Sequence, residues 1–170
     1  PADDWIVTLA LLRIATRTVS LTGTGSAVSM IPDVFLSRPG SRVVHAATVI
    51  TVDGLWIEQV IAEADETQGV PIVLYPRADS ICRVILTSGT TGNPRAAELS
   101  VRAVEHRLKH LPDYWTDARP EVNLMSLSTT GGFHTALAAL QHGTPYITVD
   151  PADARFARAT AGVSVQVLCG

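Results

Sequence analysis

An apolar run that stops in a cluster of hydroxyls and glycines constrains this chain most: Ile85-Leu86-Thr87-Ser88-Gly89-Thr90-Thr91-Gly92-Asn93-Pro94-Arg95. Val84 to Leu86 reads as a buried strand, and Ala96-Ala97-Glu98-Leu99 as a return strand, so the polar residues form the loop that follows a strand. Gly89 and Gly92 let the backbone turn sharply and come close to a ligand. Successive N–H groups in such a turn can form a concave nest for an anion. Thr87, Ser88, Thr90 and Thr91 add hydroxyl donors, and Arg95 adds a cation that deprotonation does not remove. That inventory suits a polyphosphate.

Two common phosphate-binding patterns do not fit. In GxxxxGK(S/T), counted from Gly89, the second glycine falls on Pro94, and Arg95 is followed by Ala96. In GxGxxG, the nearest candidate is Gly23-Thr24-Gly25-Ser26-Ala27-Val28, with valine at the third glycine position. Clusters of Gly, Ser and Thr of that kind make loops.

The rest of the pattern alternates strands and helices. Asp3 and Asp4 suit a helix N-terminus. Trp5, Leu9 and Leu12 share one face of that helix, and their apolar neighbours predict burial around much of its circumference. Thr18 to Leu21 reads as a short strand. Val28 to Leu36 reads as a helix with Pro32 inside, ended by Arg38-Pro39-Gly40. Val43 to Val52 is a strand. Leu55 to Thr67 is a helix with Ile57, Val60, Ile61 and Ala64 towards the core, Glu58, Glu63 and Glu66 towards water, and Gly69 as its stop. Val70 to Leu74 is a buried strand, and Ser100 caps a helix that runs to about Leu111 and is closed by Pro112. Asp113 to Pro120 is the most loop-like segment.

This alternation predicts an α/β fold: three layers, with a mostly parallel sheet and helices on both faces, in a single domain over residues 1–170. In such sheets ligands gather at the carboxyl ends of strands, which is where the Thr87 loop lies.

Composition bounds the partners. The chain is 46% apolar and 17% charged, which argues against disorder. A net charge of −3, scattered basic residues and few aromatics disfavour nucleic acid. Cys82 and Cys169 make no metal-ligand spacing; Cys82 reads as a small buried hydrophobe, and a reduced, cytoplasmic setting follows. The apolar run Trp5 to Leu12 is far short of the roughly 20 residues of a membrane span and lacks the flanks of a secretion signal.

Other candidates have plainer readings. His106 and His110 are four apart on a helix, but Arg102, Arg107 and Lys109 crowd them with positive charge, so a solvated face is preferred to a metal site. Asp153 reads as a helix cap beside Asp150, and His142 beside Gly143 as a helix C-terminus. No metal site is assigned.

The order Thr-Ser-Gly-Thr-Thr-Gly-Asn-Pro-Arg resembles the phosphate loop of the adenylate-forming, or AMP-binding, superfamily of acyl-CoA synthetases, luciferases and peptide-synthetase adenylation domains. The usual form is S/T-S-G-S/T-T-G-x-P-K-G. Thr87 to Gly92 and Pro94 match it, Arg95 stands for lysine, and Ala96 for the last glycine. Beyond the loop, Asp3 to Leu21 resembles the family's upstream helix and strand. In Met125 to Val149, Gly131-Gly132-Phe133 opens an apolar helix and Gly143 to Val149 reads as the next strand. Phe156 to Leu168 resembles the helix and strand that follow.

The resemblance implies ATP-dependent activation of a carboxylic acid to an acyl-adenylate, followed by CoA thioester formation, with ATP, Mg2+ and CoA as cofactors and a place in fatty-acid metabolism. Thr87, Ser88, Gly89, Thr90, Thr91, Gly92 and Arg95 would hold the ATP phosphates, with Arg95 as charge stabiliser. Thr129, Gly131 and Gly132 are the substrate-side candidates. Many relatives carry a histidine where Thr129 stands, with proline at Ser126; His134 is not at the matched position. Family members are several times longer. Their Tyr-Gly-x-Thr-Glu segment, ribose-binding aspartate and C-terminal lysine do not occur between Pro1 and Gly170. The expectation is part of a larger N-terminal domain, without the C-terminal lid, acting with the remainder of a parent chain. A non-catalytic nucleotide-binding or structural module, or an unrelated nucleotide-binding α/β protein, are the alternatives.

Overall fold

The computed structural model describes residues 2–21, 31–41, 46–67, 74, 76–87, 95–110, 121–148 and 166–167. In chain order these hold α1 (Ala2–Arg13), β1 (Thr18–Val19), β2 (Val34–Ser37), β3 (Thr48–Thr51), α2 (Gly54–Thr67), β4 (Ile81–Thr87), β5 (Arg95–Ser100), α3 (Val101–Lys109), β6 (Glu121–Asn123), α4 (Thr130–His142), β7 (Tyr146–Thr148) and β8 (Gln166–Val167). The fold is α/β, and β4–β5 is the single antiparallel pairing among these strands. The chain divides into two compact units, one made of Pro1–Thr22 with Val73–Gly170, the other of Gly23–Ile72.

In the first unit β4 is the central strand of a three-stranded sheet, β1-β4-β5. Cys82 to Ile85 are all buried, as expected where both faces are covered. Cys82, Ile85, Val104 and Phe133 form the main core, and Trp5, Leu12, Leu99, Val101, Leu108 and Leu137 pack on it. Full burial of a side chain such as Phe133 contributes about 1.5–3 kcal/mol. The Cys82 thiol donates to the Leu99 carbonyl at 3.4 Å, and burial raises its pKa above the ordinary thiol value.

A second sheet, ordered β7-β6-β8, is parallel throughout. Helix α4 is the crossover that parallel neighbours β6 and β7 need. Thr129 caps its start, and Gly143, at φ 65°, ends it in the left-handed conformation that favours glycine. Ser100 caps α3, accepting from the Ala103 N–H at 3.2 Å.

In the second unit β2 and β3 pair in parallel from Val34↔Thr48 to Ser37↔Thr51. The Asp53 carboxylate accepts the Trp56 N–H at 2.8 Å and so starts α2.

The structure differs from the sequence reading in four places. Residues 34–36, read as the end of a helix, belong to strand β2: Pro32 has no N–H to donate, and Val34-Phe35-Leu36 finds a parallel partner in β3. Helix α1 is less enclosed than its composition suggests, for Thr8 is its buried residue while Ile6 is 65% exposed. Helix α2 forms, but Ile57, Val60 and Ile61 on its apolar side are exposed. Leu74, the described residue of the supposed buried strand, is also exposed; its N–H donates to the Arg13 carbonyl at 2.9 Å. Gly23 to Val28, Gly69, Leu111 to Pro120, Asp150 and Asp153 lie outside the described residues.

Candidate functional site

Strand β4 runs straight into the hydroxyl-rich motif. Its last residue, Thr87, pairs with Arg95, the first residue of β5, and the Thr87 hydroxyl donates to the Arg95 carbonyl at 3.2 Å. Both residues are exposed. A closed antiparallel stem therefore holds the two ends of the segment between them. Ser88, Gly89, Thr90, Thr91 and Gly92 lie outside the described residues, so the structure bears on the anchors of the loop.

Four residues upstream, about 13 Å along the strand, is Arg83. It is fully buried in an otherwise apolar stretch. Its guanidinium donates to Thr18 Oγ1 at 3.0 Å, Ser20 Oγ at 2.6 Å and the Leu127 carbonyl at 2.9 Å. It also lies over the Phe133 ring, 5.0 Å from the centroid, within cation–π range. Burial lowers its pKa, with Asp4 and then Cys82 acting in the opposite sense. The Asp4 carboxylate accepts from Ser20 Oγ at 3.1 and 3.3 Å, so the acid reaches the cation through a hydroxyl. Arg83 was not among the sequence candidates. The available signal was a charged residue inside the apolar run Ile81 to Leu86, because a buried charge requires partners.

The substrate-side candidates sit on the turn from β6 into α4. Asn123 Oδ1 accepts the Met125 N–H at 2.7 Å, and Asn123 Nδ2 donates to the Tyr146 hydroxyl. Tyr146 in turn donates to the Gly132 carbonyl at 3.4 Å. The Thr129 hydroxyl donates to the Ser126 carbonyl at 2.8 Å and accepts the Gly132 N–H at 3.1 Å. Thr129 is thus exposed, yet its hydroxyl is engaged in building the helix start. Gly132 is needed for close approach: a Cβ there would lie 2.3 Å from the Ser126 carbonyl oxygen. At Gly131 a Cβ would meet the Met125 sulfur at 2.7 Å.

His134 is buried one turn into α4, with Nδ1 2.7 Å from the Thr130 carbonyl. Burial lowers its pKa; the Thr130 carbonyl acts in the opposite sense. His106 on α3 and His110 at its C-cap are exposed with ring centroids 4.4 Å apart, and His142 ends α4 as read from the sequence. Among the described residues, no three His, Cys, Asp or Glu side chains gather where a metal ion could bind.

The sequence matches the model of the AMP-binding enzyme family over residues 24–170. The chain belongs to the AMP-binding enzyme family. Two solved structures share its fold. One is a malonyl-CoA ligase in a ternary product complex with methylmalonyl-CoA and AMP, at 19% identity and a TM-score of 0.61, over 85% of this chain and 32% of that one. The other is an E. coli MenE variant with bound OSB-AMS, at 16% identity and a TM-score of 0.61, over 97% of this chain and 36% of that one. This AMP-binding chain thus spans about a third of the length of those two structures. No curated protein sequence matches it. No helix among its described residues is long and apolar enough to cross a membrane.

Proposed function

We propose that this AMP-binding chain supplies the phosphate loop of a ligase that activates a carboxylic acid with ATP and passes the acyl group to CoA. The observation that carries this reading is the motif Thr87 to Arg95 at the end of a central strand, in a chain of the AMP-binding family. A carboxylate oxygen attacks the α-phosphorus, pyrophosphate leaves, and an acyl-adenylate forms. The CoA sulfur then attacks the acyl carbon, loses its proton, and AMP departs. Thr87, Ser88, Gly89, Thr90, Thr91 and Gly92 hold the β- and γ-phosphates through N–H and hydroxyl donors. Arg95 offsets the charge that builds on the leaving pyrophosphate. Mg2+ bound with the triphosphate would supply charge neutralisation there, and no protein ligand for it is assigned.

The CoA step is supported by the ligand in the malonyl-CoA ligase relative, and adenylate formation by AMP in that complex. In this proposal residues 1–170 are part of a larger N-terminal domain of a cytoplasmic enzyme of fatty-acid type. The remainder of the parent chain supplies the residues that complete the reaction.

The test is ATP–pyrophosphate isotope exchange by the full-length protein. Arg95→Ala is expected to slow exchange about a hundredfold, by analogy with removal of one donor to a developing charge. Unchanged exchange would remove Arg95 from the mechanism. A second reading, nucleotide binding without turnover, is favoured by the Thr129 hydroxyl being engaged in a helix cap, at the position where the family resemblance implies a histidine in many relatives. Calorimetric binding of ATP–Mg2+ with no isotope exchange would support it.

A further inference from the structure

We propose that Arg83 is a positioning residue that fixes the Leu127–Gly132 turn against the strand carrying the phosphate loop. The inference rests on the phosphate-loop reading for its functional meaning and on the Arg83 geometry for its substance.

Arg83 connects three parts of the first unit. Through Thr18 and Ser20 it holds β1 and the residue that follows it, and through Leu127 it reaches 44 residues ahead to the turn before α4. The Leu127 carbonyl is two residues before the cap Thr129. The adjoining Ser126 carbonyl accepts from both the N–H and the hydroxyl of Thr129, and the Gly132 backbone packs directly on it. A displacement at Leu127 therefore moves Thr129, Gly131 and Gly132 together.

Packing alone does not account for a guanidinium here. A buried charge is costly to desolvate, and an apolar side chain of similar volume commonly serves stability as well or better. No carboxylate touches Arg83 among the described residues, and its Nε has no hydrogen-bond partner there. What an apolar residue does not provide is three directed hydrogen bonds from one planar group, two to β1-side hydroxyls and one to the Leu127 carbonyl. Strand β4 is thereby tied at one point to the turn that bears the substrate-side candidates, on the same strand whose end anchors the loop.

The test compares the wild-type full-length protein with Arg83→Met, which keeps volume without donors, and Arg83→Lys, which keeps charge without the fork. Ser20→Ala removes a single link and serves if Arg83→Met does not fold. Amide hydrogen exchange is expected to speed up within residues 126–133 and to stay unchanged in β5 and α3. With malonate as the probe acid, ATP–pyrophosphate isotope exchange is expected to show a KM for malonate raised about tenfold, while the KM for ATP moves less than about threefold. Arg83→Lys should fall between the two. A uniform change in amide exchange, no change at 126–133, or equal shifts in both KM values would overturn the inference. If the wild type itself gives no isotope exchange with malonate, malonate is not its acid, and the amide pattern alone decides the role of Arg83.

Discussion

At the position of Gly132 the backbone leaves no space for a methyl group. A Cβ would lie within 3 Å of both the oxygen and the carbon of Ser126, and these are main-chain atoms that cannot swing aside. Alanine is the better helix former by roughly 1 kcal/mol, but overpacking of this kind costs about 1–3 kcal/mol or more. Gly132→Ala is therefore expected to lower the stability from urea unfolding by about 1–2 kcal/mol. Gly131→Ala should be close to neutral, because its obstacle is the flexible end of Met125. His134 gives a pH prediction. Its folded pKa lies below the ordinary value of 6.5, because burial disfavours the charged ring. Its stabilising contribution is complete above about pH 6.5. It is lost as pH falls from there towards the folded pKa, because the unfolded state takes up the proton first. Thermal melts of the wild type and His134→Gln should diverge most above pH 7 and draw together as pH falls below 6.5.

Elements with a local chemical signal were the legible ones. Ser100 ahead of Val101, Gly143 after His142 and the run Val84 to Leu86 each marked an element that the structure contains. Ser100→Ala should cost about 1 kcal/mol of stability by losing the bond to the Ala103 N–H. Gly143→Ala meets no steric obstacle but must hold φ 65°, so a similar loss of about 1 kcal/mol is expected from strain alone. Equilibrium denaturation of each variant measures both. The misread elements were those whose fate is decided by partners distant in sequence. Val34 to Ser37 became a strand because β3 lies beside it, and nothing in its own residues names that partner. Arg83 was overlooked for the same reason: Thr18, Ser20 and Leu127, which make its burial tolerable, are 44 to 65 residues away.

Across the molecule, burial is unevenly shared. Every buried apolar side chain among the described residues belongs to the first unit, whereas Ser37 is the one buried residue described in the second. Leu55, Val60 and Ile61 of α2 are exposed as well. Segments with few buried apolar contacts open locally at low free energy. Amide hydrogen exchange should therefore be fast in α2 and slowest in β4, and equal protection of the two would contradict this distribution of the core. The family and the α/β class were readable from the Thr87–Arg95 motif and the alternation of elements. The division into two units was not read, although the Gly23-Thr24-Gly25-Ser26 cluster stands at one of its boundaries, because such a cluster reads equally as an ordinary loop.

The facing of Thr87 and Arg95 on the last rung of the β4–β5 ladder makes the stretch between them an exchangeable cassette. Residues inserted, deleted or rewritten there would leave the rungs behind it paired. Under the proposed function, the hold on a nucleotide tail could change there while the β4–β5 ladder keeps its alignment.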